Sequence, residues 1–231
     1  MTTMRPSLLA QVCTFQMKTS KHFFRVHLFQ SREDGESSYG RSIMKRTVEY
    51  FEKPGPKNTG VCMDILYGLI HDDGYEDAVV ASTSGQTGVL AARRLRGEDL
   101  NLVVVAHSVG FLGPNQDQFS EDAYEEITRL GGRIYKGTIL THSIETALAE
   151  KFSGSYPTLL VANTLRRFGQ GLKVCCEIVM EAADAGLVAE GKEVVAVAGT
   201  VSGADTVAII RSAASKRFLD MYVSQIIAKP L

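Results

Sequence analysis

The chain has 231 residues, 45% of them hydrophobic, and a formal charge of −1 from 25 Lys and Arg against 26 Asp and Glu. That length fits one large core, or one domain with an extension. The charge balance, with no dense basic run interleaved with aromatics, argues against a nucleic-acid binder, and no apolar stretch reaches the roughly 18 residues of a membrane span.

Residues 1–44 stand apart. The first 32 carry Arg5, Lys18, Lys21, Arg25 and Arg32, seven Ser or Thr and no acidic residue. That composition is like an organellar transit peptide; the other reading is a disordered extension or an upstream start codon. The cysteines, Cys13, Cys62, Cys175 and Cys176, form no CxxC pair, and no His stands at metal-ligand spacing. Neither a zinc site nor a disulfide framework is expected. Cys175 and Cys176 read as buried reduced thiols, which suits the cytoplasm or another reducing compartment.

From residue 45 onward strands and helices alternate, the pattern of an α/β domain with a largely parallel sheet. Thr47 to Phe51 reads as the first strand, and Asn58 or Thr59 caps a helix carrying Val61, Ile65, Leu66, Leu69 and Ile70. Val79 to Ala81 is a buried strand that breaks into the turn Ser82 to Gly88. A helix with Val89, Leu90, Ala91, Ala92 and Leu95 on one face follows. Leu100 to Ala106 is continuously apolar, as in a strand covered on both faces, and runs into a Gly/Pro loop from His107 to Asn115. Ser120 caps a helix closed by Gly131 and Gly132, and Arg133 to Tyr135 starts a short strand. Three helices are then expected: Thr141 to Phe152, Pro157 to Phe168 and Lys173 to Ala185. On the last, Glu177, Glu181 and Asp184 share one face, the usual sign of a solvated surface. Glu193 to Ala198 is a strand, a small-residue loop runs from Gly199 to Thr206, Val207 to Ile210 is a further strand, and Ile226 to Ala228 is a short strand at the sheet edge.

Three polar loops thus follow apolar strands, at Ser82 to Gly88, His107 to Pro114 and Gly199 to Thr206. In open α/β sheets ligands bind beyond the carboxyl ends of strands, so the three can meet at one crevice. The first turn has two readings. It is an N-capped strand-to-helix turn, or a phosphate cradle in which free N–H groups, the helix dipole and the hydroxyls of Ser82, Thr83, Ser84 and Thr87 face an anion that Gly85 and Gly88 let approach. Neither GxGxxG nor the Walker A motif is matched, which disfavours dinucleotide dehydrogenases and P-loop NTPases. His107 is either a hydrogen-bonded loop residue or a ligand contact. Asp205 either accepts a ligand hydroxyl or caps its turn, and Arg93 or Arg94 is placed to reach a phosphate.

VVASTSGQTGVLAARRL and EVVAVAGTVSGADTVAIIR resemble the two effector-binding loops of the pyruvate kinase C-terminal domain. Together with EYFEKPGPKNT, VVVAHSVGF, FGQGLKVCCEI, AADAGLV and IIAKP in the same order, the chain from residue 46 to 231 resembles the stand-alone pyruvate kinase C-terminal (α/β) domain-like proteins. The resemblance implies a three-layer α/β/α sandwich with a mostly parallel five-stranded sheet and one antiparallel strand. It also implies a phosphorylated small molecule, flavin mononucleotide (FMN), as ligand. Carried over, Ser82, Thr83, Ser84, Gly85, Gln86 and Thr87 hold the phosphate, Gly203, Ala204, Asp205 and Thr206 line the neighbouring wall, and His107 and Phe111 flank a planar ring. Glu177, inside FGQGLKVCCEI, is the better site candidate of the helical acids. The catalytic barrel of pyruvate kinase has no room here, so no pyruvate kinase activity is expected. No Ser/His/Asp, Cys/His or metal constellation is visible, and any catalysis falls to the cofactor. A sugar-phosphate sensor, and a small hydrolase or transferase acting through His107 and Asp205, remain alternatives, and homo-oligomerisation stays open.

Overall fold

The computed structural model describes residues 46–138, 140 and 143–231. The readings placed on residues 1–44, on Cys13 and on the start of the helix at Thr141 lie outside them. Seven strands form a single sheet in the order β1-β7-β6-β5-β2-β3-β4. They are β1 (Glu49–Phe51), β2 (Asp77–Ala81), β3 (Asn101–His107), β4 (Arg133–Gly137), β5 (Glu193–Ala198), β6 (Thr206–Arg211) and β7 (Tyr222–Pro230). Only β6 runs against the rest, antiparallel to β5 and to β7. The single antiparallel strand is as the resemblance implied, but the sheet has seven strands where it implied five.

Among the described residues six α-helices accompany the sheet: α1 (Thr59–His71), α2 (Gln86–Arg94), α3 (Glu121–Arg129), α4 (Ile144–Phe152), α5 (Pro157–Leu165) and α6 (Gln170–Asp184). Alternating side chains of the same strands feed two cores, because successive residues of a strand point to opposite faces. Val80, Val104, Val195, Val197 and Ile209 pack with Leu66 of α1, Ala91 of α2 and Ile127 of α3. Val79, Val103, Val194, Ala196 and Ile210 pack with Leu172, Cys175, Cys176 and Val179 of α6. Strands β2, β3 and β5 are therefore buried on both sides, which is why they read as unbroken apolar runs.

Local signals explain the helix ends. Ser120 accepts a hydrogen bond from the Ala123 N–H at the start of α3, and Gly131, with φ of 88°, closes that helix in the left-handed conformation. Pro157 opens α5 at its first position, where its missing N–H is harmless. Asn58 precedes α1 as expected, but its side chain donates to the Lys53 carbonyl instead of capping the helix.

Two expectations need correction. The last strand is nine residues long and lies inside the sheet, paired on one side with β6 and on the other with the three-residue β1, so β1 and β4 form the edges. In β7 only Ala228 is fully buried, and the polar Ser224 and Gln225 break the apolar pattern that would have revealed its length. The final helix begins at Gln170 rather than Lys173. Its second residue, Gly171, is a contact point: a Cβ there would lie 2.0 Å from Thr206 Oγ1.

Cys62, Cys175 and Cys176 are buried free thiols, and burial pushes Cys62 and Cys176 up to about 12. No residue of helix α4 is fully buried, and Ile144, Leu148 and Phe152 form an exposed stripe along it. Among the described residues no helix is long and apolar enough to cross a membrane.

Candidate functional site

Strand β2 has β3 on one side and β5 on the other, and all three are parallel. From β2 the chain progresses outward to β3 and β4, whereas from β5 it progresses the other way to β6 and β7. The pair β2/β5 is therefore the switch point of the sheet, where loops leaving the carboxyl ends diverge and open a crevice. A cavity of about 280 Å³ lies there, lined from the strand ends by Ala81, His107 and Gly137 and from the two flanking loops by Ser82, Thr83, Ser84, Thr87, Gly199 and Gly203. Six of the twelve site residues expected from the sequence thus line one cavity.

The expected Ser or Thr N-cap is not formed after β2: the N-cap of α2 is Gly85, with no side-chain capping bond, and Ser82 serves the helix start from further back in the turn. Ser82, buried, accepts a hydrogen bond from the Gly88 N–H at 3.1 Å, while its own N–H is held by Val105 O. That bond serves the third residue of α2. The N–H groups of Gln86 and Thr87, in the first two positions, have no acceptor within the helix by its geometry, and Thr87 lines the cavity. The helix start thus offers a partial positive charge beside the hydroxyls of Thr83, Ser84 and Thr87. The glycines have a different role from the one expected. Gly85 is left-handed, with φ of 93°, and a Cβ on it would meet Ala123 at 2.4 Å, while one on Gly88 would meet Val104 at 2.6 Å. They seat α2 against α3 and β3. The Gln86 side chain is exposed and does not line the cavity.

In the loop after β5, Gly203 lines the cavity together with Val201 and Ser202, which sequence reasoning did not single out. Asp205 is fully buried outside the cavity, and its carboxylate accepts hydrogen bonds from Gly55 N–H (2.8 Å), Thr200 N–H (3.1 Å) and Thr206 Oγ1 (2.9 Å). The Ala204 N–H donates to Thr59 Oγ1 at 2.9 Å. Asp205, Ala204 and Thr206 thus tie the β5–β6 loop to the β1–α1 turn and support the cavity wall from behind.

The third wall is α6, where the solvated-face reading holds for Asp184 alone and Glu177, the expected site candidate, does line the cavity. Glu177 and Glu181 do not form a solvated face: they are 8% and 5% exposed, and both line the cavity with Gln170 and Lys173. These side chains recur at helical spacing with Val174 and Ile178 on one stripe, while the stripe of Leu172, Cys175, Cys176 and Val179 faces the sheet. Lys173, 2% exposed, is ion-paired with Glu177 one turn on. Burial holds its ammonium below the usual lysine range against the opposing pull of Glu177. Burial first, and then the neighbouring Glu177 carboxylate, raise Glu181 to about 8. At neutral pH Glu181 keeps its proton. Lys173 was missed because charged residues on a helix read as solvent-facing. The signal that would have found it is the i, i+4, i+8 spacing of Lys173, Glu177 and Glu181 around to the side of a helix that is also apolar elsewhere.

His107 lines the cavity, and its Nδ1 lies 3.3 Å from Gln118 Oε1. Its ring packs on Phe111 with centroids 4.2 Å apart at 39°. The pair offers an aromatic surface rather than a slot, since a ring held between them would need about twice that separation. Arg93 and Arg94 do not reach the cavity. Arg93 makes a two-pronged pair with Glu126 (2.7 and 2.8 Å), and Arg94 pairs with Asp64 over the Tyr67 ring. No protein-family model matches the chain.

Asp205→Ala will orphan the buried Gly55 N–H and the half-buried Thr200 N–H and destabilise the fold by about 3 kcal/mol. Urea denaturation reads this directly, and a loss within error of zero would remove Asp205 from its structural role. Glu181 gives a second prediction. Its folded-state value lies above its ordinary one, so its contribution to stability is full below about pH 4.5 and is lost as pH rises through about 8. Glu181→Gln will therefore gain on the wild type as pH rises from about 5 to about 9, by an amount on the order of 3 kcal/mol. Parallel stability curves for the two proteins would show that the carboxyl titrates normally.

Proposed function

We propose that this protein binds a phosphorylated small molecule at the loops on the carboxyl edge of its sheet, with FMN as the ligand and without pyruvate kinase activity of its own. In this reading the fold is the three-layer sandwich of the pyruvate kinase C-terminal domain. The observation that carries the proposal is the start of α2, which brings free N–H groups and the hydroxyls of Thr83, Ser84 and Thr87 to one end of a cavity at the switch point. An anion there needs no metal and no lysine to be held.

Lys173 lies on the opposite wall and is committed to Glu177, so it adds no net positive charge to the cradle. This suits holding a phosphate more than transferring one. The phosphate of FMN fits the turn, and its hydroxylated chain meets the polar row on α6. Bound flavin would supply hydride or one-electron chemistry. The residues of this chain bind the phosphate at Thr83, Ser84 and Thr87, present the His107 ring, backed by Phe111 outside the cavity lining, and hold a proton on Glu181. The buried thiols support a reducing compartment, the cytoplasm in this reading.

A second reading, a non-catalytic sensor of a sugar phosphate, draws on the cavity itself. About 280 Å³ lies just below the range for ligand sites, roughly 300–1,000 Å³, and the His107–Phe111 pair is closed. The absorption spectrum of the purified protein separates the two. Visible flavin bands, or their appearance on incubation with FMN, support the first. A protein that stays colourless but gains thermal stability with a sugar bisphosphate supports the second. In either case Thr83→Glu will place a carboxylate beside the anion and weaken binding by more than about 100-fold with the melting temperature kept. Unchanged affinity in that variant would exclude the turn as the phosphate site.

A further inference from the structure

The α2 turn accounts for one end of the cavity only. The opposite wall carries Gln170, Lys173, Glu177 and Glu181 along one side of α6, a row that spans about 16 Å at the rise of an α-helix. A row of charged groups on an enclosed wall is costly unless its members are paired or meet a ligand. Lys173 and Glu177 pair with each other. Glu181 is different: it is 5% exposed, it lines the cavity, and among the described residues its Oε2 has no hydrogen-bond partner. A buried carboxyl oxygen with no partner among the described residues, on the wall of an accessible cavity, points to a partner that arrives with the ligand.

The chemistry of that partner follows from what surrounds Glu181. Glu177, Lys173 and Asp184 face it along α6, and Tyr135 faces it from β4. A second anion is disfavoured beside Glu177, and a cation would compete with Lys173. A carboxyl that keeps its proton both donates and accepts, which matches a hydroxyl group. We infer that Glu181, supported by the Glu177–Lys173 pair, forms a hydroxyl-binding subsite, so that the ligand of this cavity is the phosphate monoester of a polyhydroxylated chain. The inference rests on the phosphate reading of the α2 turn and orients the ligand within it: phosphate at Thr83, Ser84 and Thr87, hydroxyls along α6. Such a chain is shared by FMN, in its ribityl arm, and by sugar phosphates.

The test is calorimetric or NMR-monitored titration of the full chain with FMN, ribose 5-phosphate and inorganic phosphate. Glu181→Leu should weaken whichever polyol phosphate the wild type binds by about tenfold, and leave inorganic phosphate unchanged. That unchanged binding doubles as a control for folding. Glu181→Gln, which keeps a donor and an acceptor, should retain the affinity. It should also abolish the loss of polyol-phosphate binding that the wild type shows as pH rises through about 8. Binding of FMN but not ribose 5-phosphate assigns the chain to the flavin, and the reverse assigns it to a sugar. Equal losses of polyol phosphate and inorganic phosphate in Glu181→Leu, no loss of either, or a wild type that prefers no polyol phosphate over inorganic phosphate would each overturn the subsite alone. A wild type that binds none of the three probes would overturn the phosphate reading and the subsite with it.

Discussion

The site depends on where the sheet reverses its order of assembly. Parallel strands buried on both faces need a helical crossover between them, and the crossovers are right-handed. Because the crossovers from β2 through α2 to β3 and through α3 to β4 run one way across the sheet, and the return from β4 through α6 to β5 runs the other way, α2 and α3 cover one face and α6 covers the other. The two sets of connections part above the β2/β5 pair. The cavity is what this divergence leaves, and its walls belong to opposite faces of the sheet.

That origin explains the unlike chemistry of the two walls. The α2 side presents the beginning of a helix, with N–H groups and short hydroxyls, as any strand-to-helix turn of small residues will. The α6 side presents the flank of a helix that is sheet-facing on another stripe, so long side chains reach the cavity from the side. One wall is complementary to an anion and the other, with its Lys173–Glu177 pair and protonated Glu181, to neutral polar groups. Asp205 holds the arrangement from outside. Its three donors come from two loops and a strand, so the β5–β6 loop cannot shift without leaving buried groups unpaired.

Legibility in the sequence followed burial. Strands β2, β3 and β5, enclosed by helices, showed as uninterrupted Val and Ala runs, and the turn from Ser82 to Thr87 was visible as a break in one of them. Strand β7 was cut short in the reading because its partner β1 is only three residues long and leaves most of it half-exposed, so its polar residues masked it. The roles of Gly85, Gly88 and Gly171 were hidden because each is fixed by a residue distant in sequence: Ala123, Val104 and Thr206. The α6 wall was misjudged for the same reason. Spacing put Glu177 and Glu181 on one face correctly, with Lys173 one turn before them, but only tertiary packing encloses that face.

The central claim is that the α2 turn at the switch point holds a phosphate. Titration of the isotope-labelled protein with inorganic phosphate, followed by amide chemical shifts, tests it most directly. Saturable shifts centred on Thr83 to Gly88, with smaller ones from Gly199 to Gly203, are the expected result. Shifts that map elsewhere on the molecule, or none at the α2 turn at millimolar phosphate, would contradict it.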